Sequence, residues 1–118
     1  MATAIYDPSG TVVGWLDGKI VRELSGQHRA FVQNDNVFTY QGMHLGTFKN
    51  GFFRDRSGHA VTFIPGAQGG ALPPLPALAP LPPLFPLAPL TPLPPLPPVP
   101  PIPSLSWSNQ GWEDYIQG

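Results

Sequence analysis

His28 and His44 are the first residues in this 118-residue chain that suggest chemistry, because they stand sixteen apart in the same slot of two adjacent sequence units. Neutral imidazoles are common metal ligands, and a four-fold arrangement of the units would bring both rings toward one axis. Val12 and Ala60 fill the other two slots, and His59 is out of phase by one residue, so a third ligand is missing. Partly exposed or core-rim histidines are the expectation. His28 and His44 stay as weak metal candidates, and no cofactor is expected. Asp7, Glu23 and Asp55 share another slot, with Thr39 as the fourth member. A carboxylate ring would hold a hard cation through oxygen, although solvated rim charges are the simpler account. Ser25 and Ser57 are turn residues before glycine with no base at fixed spacing, so no activated nucleophile is present. No glycine opens a long helix, which excludes a phosphate loop. The chain reads as a non-enzyme.

The elements that position these residues come from a sixteen-residue repeat. Gly10, Gly26, Gly42 and Gly58 recur without a gap, and so do Ile5, Val21, Val37 and Phe53. Leu16, Val32, Phe48 and Ile64 form a second apolar column; Gly14, Ala30, Gly46 and Thr62 form a small-residue column. Units that short cannot bury a core alone, so four must pack together. Ser9-Gly10 and its equivalents mark one set of turns. Asp17-Gly18, Asn34-Asp35, Asn50-Gly51 and Pro65-Gly66 mark the other. Short runs rich in β-branched and aromatic residues lie between them, which predicts a meander of eight strands. The period-2 rule puts Val12, Gly14 and Leu16 on one, inward face. The opposite face carries Trp15, Phe31, Thr47 and Phe63 and is too aromatic to stay uncovered.

These residues resemble the bacterial four-fold β-flower domain family. The carriers are Ile5-Tyr6-Asp7, Val37-Phe38-Thr39-Tyr40, the run from Gly42 to Phe48, Asn50-Gly51 and the run from Arg54 to Gly58. The likeness covers roughly residues 4–70, and Leu105-Ser106-Trp107-Ser108 looks like the family's close. The resemblance implies four β-hairpins around a pseudo-four-fold axis and no activity. Relatives tend to carry a basic period-three tail; the tail here has no charge, so a basic-tail role does not transfer.

Sixteen of the eighteen prolines lie between Pro73 and Pro103. Leu72, Leu75, Leu78, Leu81, Leu84, Leu87, Leu90, Leu93, Leu96, Val99, Ile102 and Leu105 recur every third residue. Polyproline II has three residues per turn, so this series predicts one apolar stripe along an extended arm. Straight, the arm would measure roughly 100 Å, against a diameter of ~30 Å for the repeat domain. An uncovered aliphatic stripe of that length is a liability in water and argues for a covering surface. A stiff soluble spacer is the alternative. Recognition by SH3-type domains is poorly served, because no Lys or Arg follows Arg56.

Trp107, Trp112 and Tyr115 follow the arm, and Trp112, Tyr115 and Ile116 have helical spacing, with Ser108 as a possible cap. They read as an aromatic anchor, either for a receiving surface or for a flower domain. The expected organisation is a repeat domain over 1–70, an arm over 71–104 and an anchor over 105–118. Net charge is −1 with no Cys, which gives no basic footprint for nucleic acid and no disulfide or thiolate site. Proline and unpaired carbonyls keep the apolar tail from spanning a bilayer. No signal peptide is visible; the cytoplasm is the default, with export by another route open. The leading expectation is a structural or assembly module, as a homo-oligomer or filament, with a protein partner for the C-terminal tail as a further option. The alternative is a ligand- or partner-binding module using the flower rim, with the tail as a spacer.

Overall fold

The structure, a computed structural model, describes residues 2–118. Its strands are β1 (Ala2–Tyr6), β2 (Val12–Asp17), β3 (Ile20–Glu23), β4 (His28–Gln33), β5 (Asn36–Thr39), β6 (His44–Lys49), β7 (Phe52–Arg54) and β8 (Ala60–Phe63); a short helix, α1 (Trp112–Gln117), follows the arm. Each strand pairs antiparallel with the next, and β8 returns to β1 to close a barrel. The sixteen-residue period therefore becomes four hairpins in a ring, as the spacing predicts. Asn34 and Asp35, and Asn50 and Gly51, all take positive φ. That is the primed-turn geometry that matches strand twist. In the first unit Asp17 pairs with Ile20, so the turn is centred on Gly18-Lys19, one residue later than expected.

A bulge interrupts every unit at the same place. Ile5 faces Gly14 but Tyr6 faces Val12, and the pattern recurs around Arg22, Phe38 and Arg54. One residue per unit is left unpaired: Val13, Arg29, Leu45 or Val61. A bulge resets the inside-outside alternation, which corrects the period-2 reading. Val12 does not share a face with Leu16. It packs with Tyr6, Trp15, Phe52 and Phe63 on the face beneath the arm. Leu45 and Val61 instead join Ile5, Val21, Val37 and Phe53 in the cluster that also holds α1, and Leu16, Val32, Phe48 and Ile64 pack against it. The glycines of the small column have their cause here, since a Cβ on Gly14 would stand 2.5 Å from the Arg22 carbonyl oxygen across the ladder, and one on Gly46 would collide with the Arg54 carbonyl.

Helix α1 is too short to stand alone. Its buried face of Trp112, Tyr115 and Ile116 holds it on the barrel. The Tyr115 hydroxyl donates to the Arg54 carbonyl at 2.9 Å, in a fully buried position. Gly111 is the N-cap and offers no side chain. Ser108, the expected cap, donates instead to Asp55 Oδ2 at 2.5 Å and accepts from the Gln110 N–H.

Candidate functional site

The arm neither leaves the barrel nor runs straight. It makes one lap around it, and the whole molecule is a disc of 35 × 34 × 21 Å. The four turn glycines are the stations of this lap. A Cβ on Gly10 would stand 2.8 Å from the Leu75 carbonyl oxygen, one on Gly26 3.2 Å from the Phe85 ring, one on Gly42 3.8 Å from Pro95, and one on Gly58 2.6 Å from the Ile102 carbonyl oxygen. After the last station the chain reaches the barrel seam. There the Ala60 and Ser108 amides exchange hydrogen bonds with the Ser106 and Ala60 carbonyls, and Trp107 packs between Phe52 and Phe63.

One side-chain column clamps the arm. The slot of Tyr6 is repeated by Arg22, Phe38 and Arg54. The Tyr6 hydroxyl donates to the Ala77 carbonyl at 3.1 Å, Arg22 Nη1 to Pro86 at 2.9 Å and Arg54 Nη1 to Ser104 at 2.8 Å. Both arginines also hold the turn carbonyl of their own unit, Gly26 and Gly58. Burial holds the Arg54 pKa below its usual value, against the pull of the neighbouring Asp55 carboxylate. The acceptors 77, 86 and 104 fall on a frame of nine; its remaining member, Pro95, lies by Gly42 in the third unit, where the clamp slot holds Phe38, which has no donor to give. An extended proline strand has free carbonyls and few N–H groups, so donors from the barrel are what can hold it. A polyproline II rise of ~3.1 Å per residue would give the 27 residues from Ala77 to Ser104 a span of about 84 Å. Three quarters of the perimeter of a disc 35 Å across is about 82 Å, so at that rise a nine-residue step matches the arc of one unit.

With the clamped carbonyls of Ala77, Pro86 and Ser104 turned to the barrel, the arm turns its aliphatic series outward. Leu78, Leu84 and Leu87 are each 98% exposed, and even Leu105, the least exposed of the twelve, is 74% exposed. No charged residue lies between Arg56 and Glu113. The result is an uncharged, continuous aliphatic belt around the perimeter. The residues between the leucines do the inward packing: Phe85 lies against Trp15 at 6.4 Å and under the Arg22 guanidinium at 4.7 Å. Phe85, with Trp107, is the cover that Trp15 and Phe63 on the aromatic face require, whereas Phe31 packs on Phe38 and Tyr40.

The arm and the helix are integral to the architecture, and the chain matches the model of the family described as "4-fold beta flower protein" over residues 3–116, from the first strand through α1. The chain belongs to the four-fold β-flower family. No curated protein and no solved structure matches it significantly.

Within this β-flower the other sequence candidates are dispersed. The bulges turn the slot of His28 and His44 away from the axis, which corrects the expectation that the two rings meet there. His28 packs edge-on to Tyr40 at 4.8 Å; His44 packs against Phe38 at 5.4 Å, and its Nε2 faces Asn36 Oδ1 at 3.0 Å. Among the described residues no three His, Asp or Glu side chains gather as a metal site, and no helix is long and apolar enough to cross a membrane. The Asp7, Thr39 and Asp55 side chains cap their own turns. Each carboxylate accepts two backbone N–H groups, and Thr39 Oγ1 accepts the Met43 N–H. Glu23 is held by Arg29 at 2.6 Å and by Ser25, which lower its pKa. Trp107, Trp112 and Tyr115 anchor to this chain's own barrel. A small cleft beside α1 is lined by His28, Arg29, Thr39 and Tyr40. Burial raises the Tyr40 pKa, and its hydroxyl has no hydrogen-bond partner among the described residues. The clamp column was the signal missed. Tyr6, Arg22, Phe38 and Arg54 stand sixteen apart in the sequence, but the column is not apolar and its third member is a Phe without a donor.

Proposed function

We propose that this β-flower is a non-enzymatic assembly module that displays a leucine belt for docking to other copies or to an apolar partner. The observation that carries this reading is the outward placement of all twelve aliphatic side chains of the arm, each at least 74% exposed. Monomeric soluble proteins rarely keep an apolar patch above a few hundred Å², and belts beyond that size mark interaction surfaces. The period of three supports a polyproline II conformation for the arm. The barrel is then a rigid former that sets the curvature of the belt.

Removing residues 71–118 does not test this, because it strips the cover from Trp15 and takes Tyr115 out of the core. Substituting exposed leucines does. At sub-micromolar concentration the folded chain is expected to bind the apolar dye ANS, and Leu78→Ser, Leu84→Ser and Leu87→Ser together should remove most of the signal. A folded chain that gives no enhancement would overturn the belt as an adhesive surface.

A second reading rests on the cleft of His28, Thr39 and Tyr40, where the unpartnered Tyr40 hydroxyl favours a small polar ligand at the flower rim. Its signature would be saturable binding that Tyr40→Phe weakens and the leucine substitutions leave untouched.

A further inference from the structure

We propose that the second half of the ring holds a binding site for a small carboxylate, in a cavity of about 300 Å³ between Arg54 and the end of the arm. The site is separate from the belt. The molecule supplies its own control, because positions two units apart are equivalent. Arg22 and Arg54 share one slot, and each holds its own turn carbonyl and an arm carbonyl. Around Arg22 the slot is closed. The Arg22 Nε donates to Asp17 Oδ2 at 3.1 Å, and this carboxylate neutralises the guanidinium. Phe85 fills the space beside Trp15, with its ring 4.7 Å from the guanidinium.

Around Arg54 all three partners are exchanged. Lys49 stands in the slot of Asp17, Thr47 in that of Trp15, and Pro103, two nine-residue steps along the arm, in that of Phe85. A base replaces the acid, and two small side chains replace two large aromatic ones. What is left is the cavity, with Thr47, Lys49 and Arg54 on its barrel side and Pro100, Pro101 and Pro103 on its arm side. Arg54 is only 4% exposed, yet its three bonds all go to neutral carbonyls, those of Gly58, Gly69 and Ser104. Two of its five donors, the Nε–H among them, have no partner among the described residues. The Asp55 carboxylate, next in sequence, is committed to the Ser57 and His59 amides and the Ser108 hydroxyl. A buried cation without a counter-ion is costly, and a guanidinium with free donors takes a carboxylate through strong, often paired hydrogen bonds. Asp35 is the one acid among the described residues of the wall, so Lys49 and Arg54 leave one net positive charge. A single carboxylate balances that charge, and a phosphate dianion exceeds it. Asn34 and Asn50 also line the cavity, where the first half has Ala2 and Gly18. With the Thr47 hydroxyl they offer donors and acceptors to a ligand that carries a hydroxyl group. The volume lies at the lower end for small-molecule sites, which suits a ligand of a few carbons.

The test is an amide NMR titration of the folded full chain with sodium L-lactate, with lactamide and sodium chloride as the neutral and ionic controls. The expected result is saturable shifts at Lys49, Arg54 and Ser104, with a lactate dissociation constant on the order of 1 mM and no saturable response to either control. Lys49→Asp restores the acid of the first half at an exposed strand end and should weaken lactate at least ~30-fold with the fold intact. Pro103→Phe restores the aromatic filler and should abolish binding. Protection of the Ser104 amide, which bonds the Gly58 carbonyl, reports in each variant that the arm is still seated. Three results would each overturn the site: no saturable shift up to ~20 mM lactate, an equal response to lactamide or chloride, or an affinity unchanged by Lys49→Asp with the arm seated. Inorganic phosphate binding more tightly than lactate would overturn the carboxylate as its ligand.

Discussion

Arg54→Met tests the clamp directly. The Arg54 side chain is buried and donates to the Gly58 carbonyl at 2.7 Å, to Ser104 at 2.8 Å and to Gly69 at 3.3 Å, with its guanidinium 5.3 Å from the Phe52 ring centre. Methionine keeps the stem and the contact with Phe52 and removes all three donors. Hydrogen bonds from a charged donor contribute about 1.5–3 kcal/mol each, so the two short ones represent roughly 3–6 kcal/mol. Part of this is offset, because the buried guanidinium no longer has to be desolvated, and the Ser104 carbonyl at the rim can be rehydrated. A net loss of about 2–4 kcal/mol is expected, which lowers Tm by roughly 10–20 °C in a chain of this size. The assay that locates the loss is amide exchange. The Ser104 N–H bonds the Gly58 carbonyl at 3.0 Å, and the Ala77 N–H bonds the Gly10 carbonyl at 3.0 Å, three units earlier around the ring. In the variant the Ser104 amide should exchange much faster than in the parent, while the Ala77 amide changes only as far as global stability does. Equal protection of both amides, or a stability loss below ~0.5 kcal/mol, would refute the clamp.

The remaining predictions concern the stations, the plug and pH. Gly58→Ala puts a Cβ 2.6 Å from the Ile102 carbonyl oxygen at φ +91°, whereas Gly18→Ala at φ +60° meets nothing within 4 Å. Both cost about 1 kcal/mol from the left-handed backbone, and only Gly58→Ala should cost roughly 2 kcal/mol more and release the arm, as read by denaturation and Ser104 exchange. Tyr115→Phe removes the buried hydroxyl that meets the Arg54 carbonyl and should lower stability by about 1–2 kcal/mol in urea titration without unseating α1. Burial, and then the charge of Arg56, lower the His44 pKa. Between that lowered value and about 6.5 the unfolded chain binds a proton that the folded chain refuses, so this histidine makes stability fall as pH drops through the window. His44→Gln should flatten the slope of Tm between about pH 6.5 and 5, and an unchanged slope would refute the assignment.

The barrel was legible because its information is local and repeated. Turn pairs such as Asn50-Gly51 specify their own backbone, and the columns of Ile5 and Leu16 specify a buried side whatever lies beyond them. The bulge was not legible. Val13, Arg29, Leu45 and Val61 share no side-chain character that announces an unpaired residue, yet that residue decides which side His28 and His44 face. The course of the arm was hidden for a different reason. Leucine at every third residue describes the arm's own cross-section and says nothing about its path. The path follows from a length match: a strand of ~100 Å exceeds the diameter of a ~30 Å domain but equals its circumference. The donors that fix it come from a column whose members, Tyr6, Arg22 and Arg54, are unlike enough to pass for surface variation.

Sixteen residues of barrel correspond to nine residues of arm, and this ratio makes the tail a tape measure of the ring. A deletion of three arm residues would keep every leucine pointing outward but shift all later acceptors off their donors. Only a change of nine residues, matched by the gain or loss of one sixteen-residue unit, returns the strand to the seam in register at Ala60. Repeat number and tail length are thereby coupled through the geometry of the ring. A ring of five units would have to carry a tail longer by nine, and a tail of the present length admits four units and no other number.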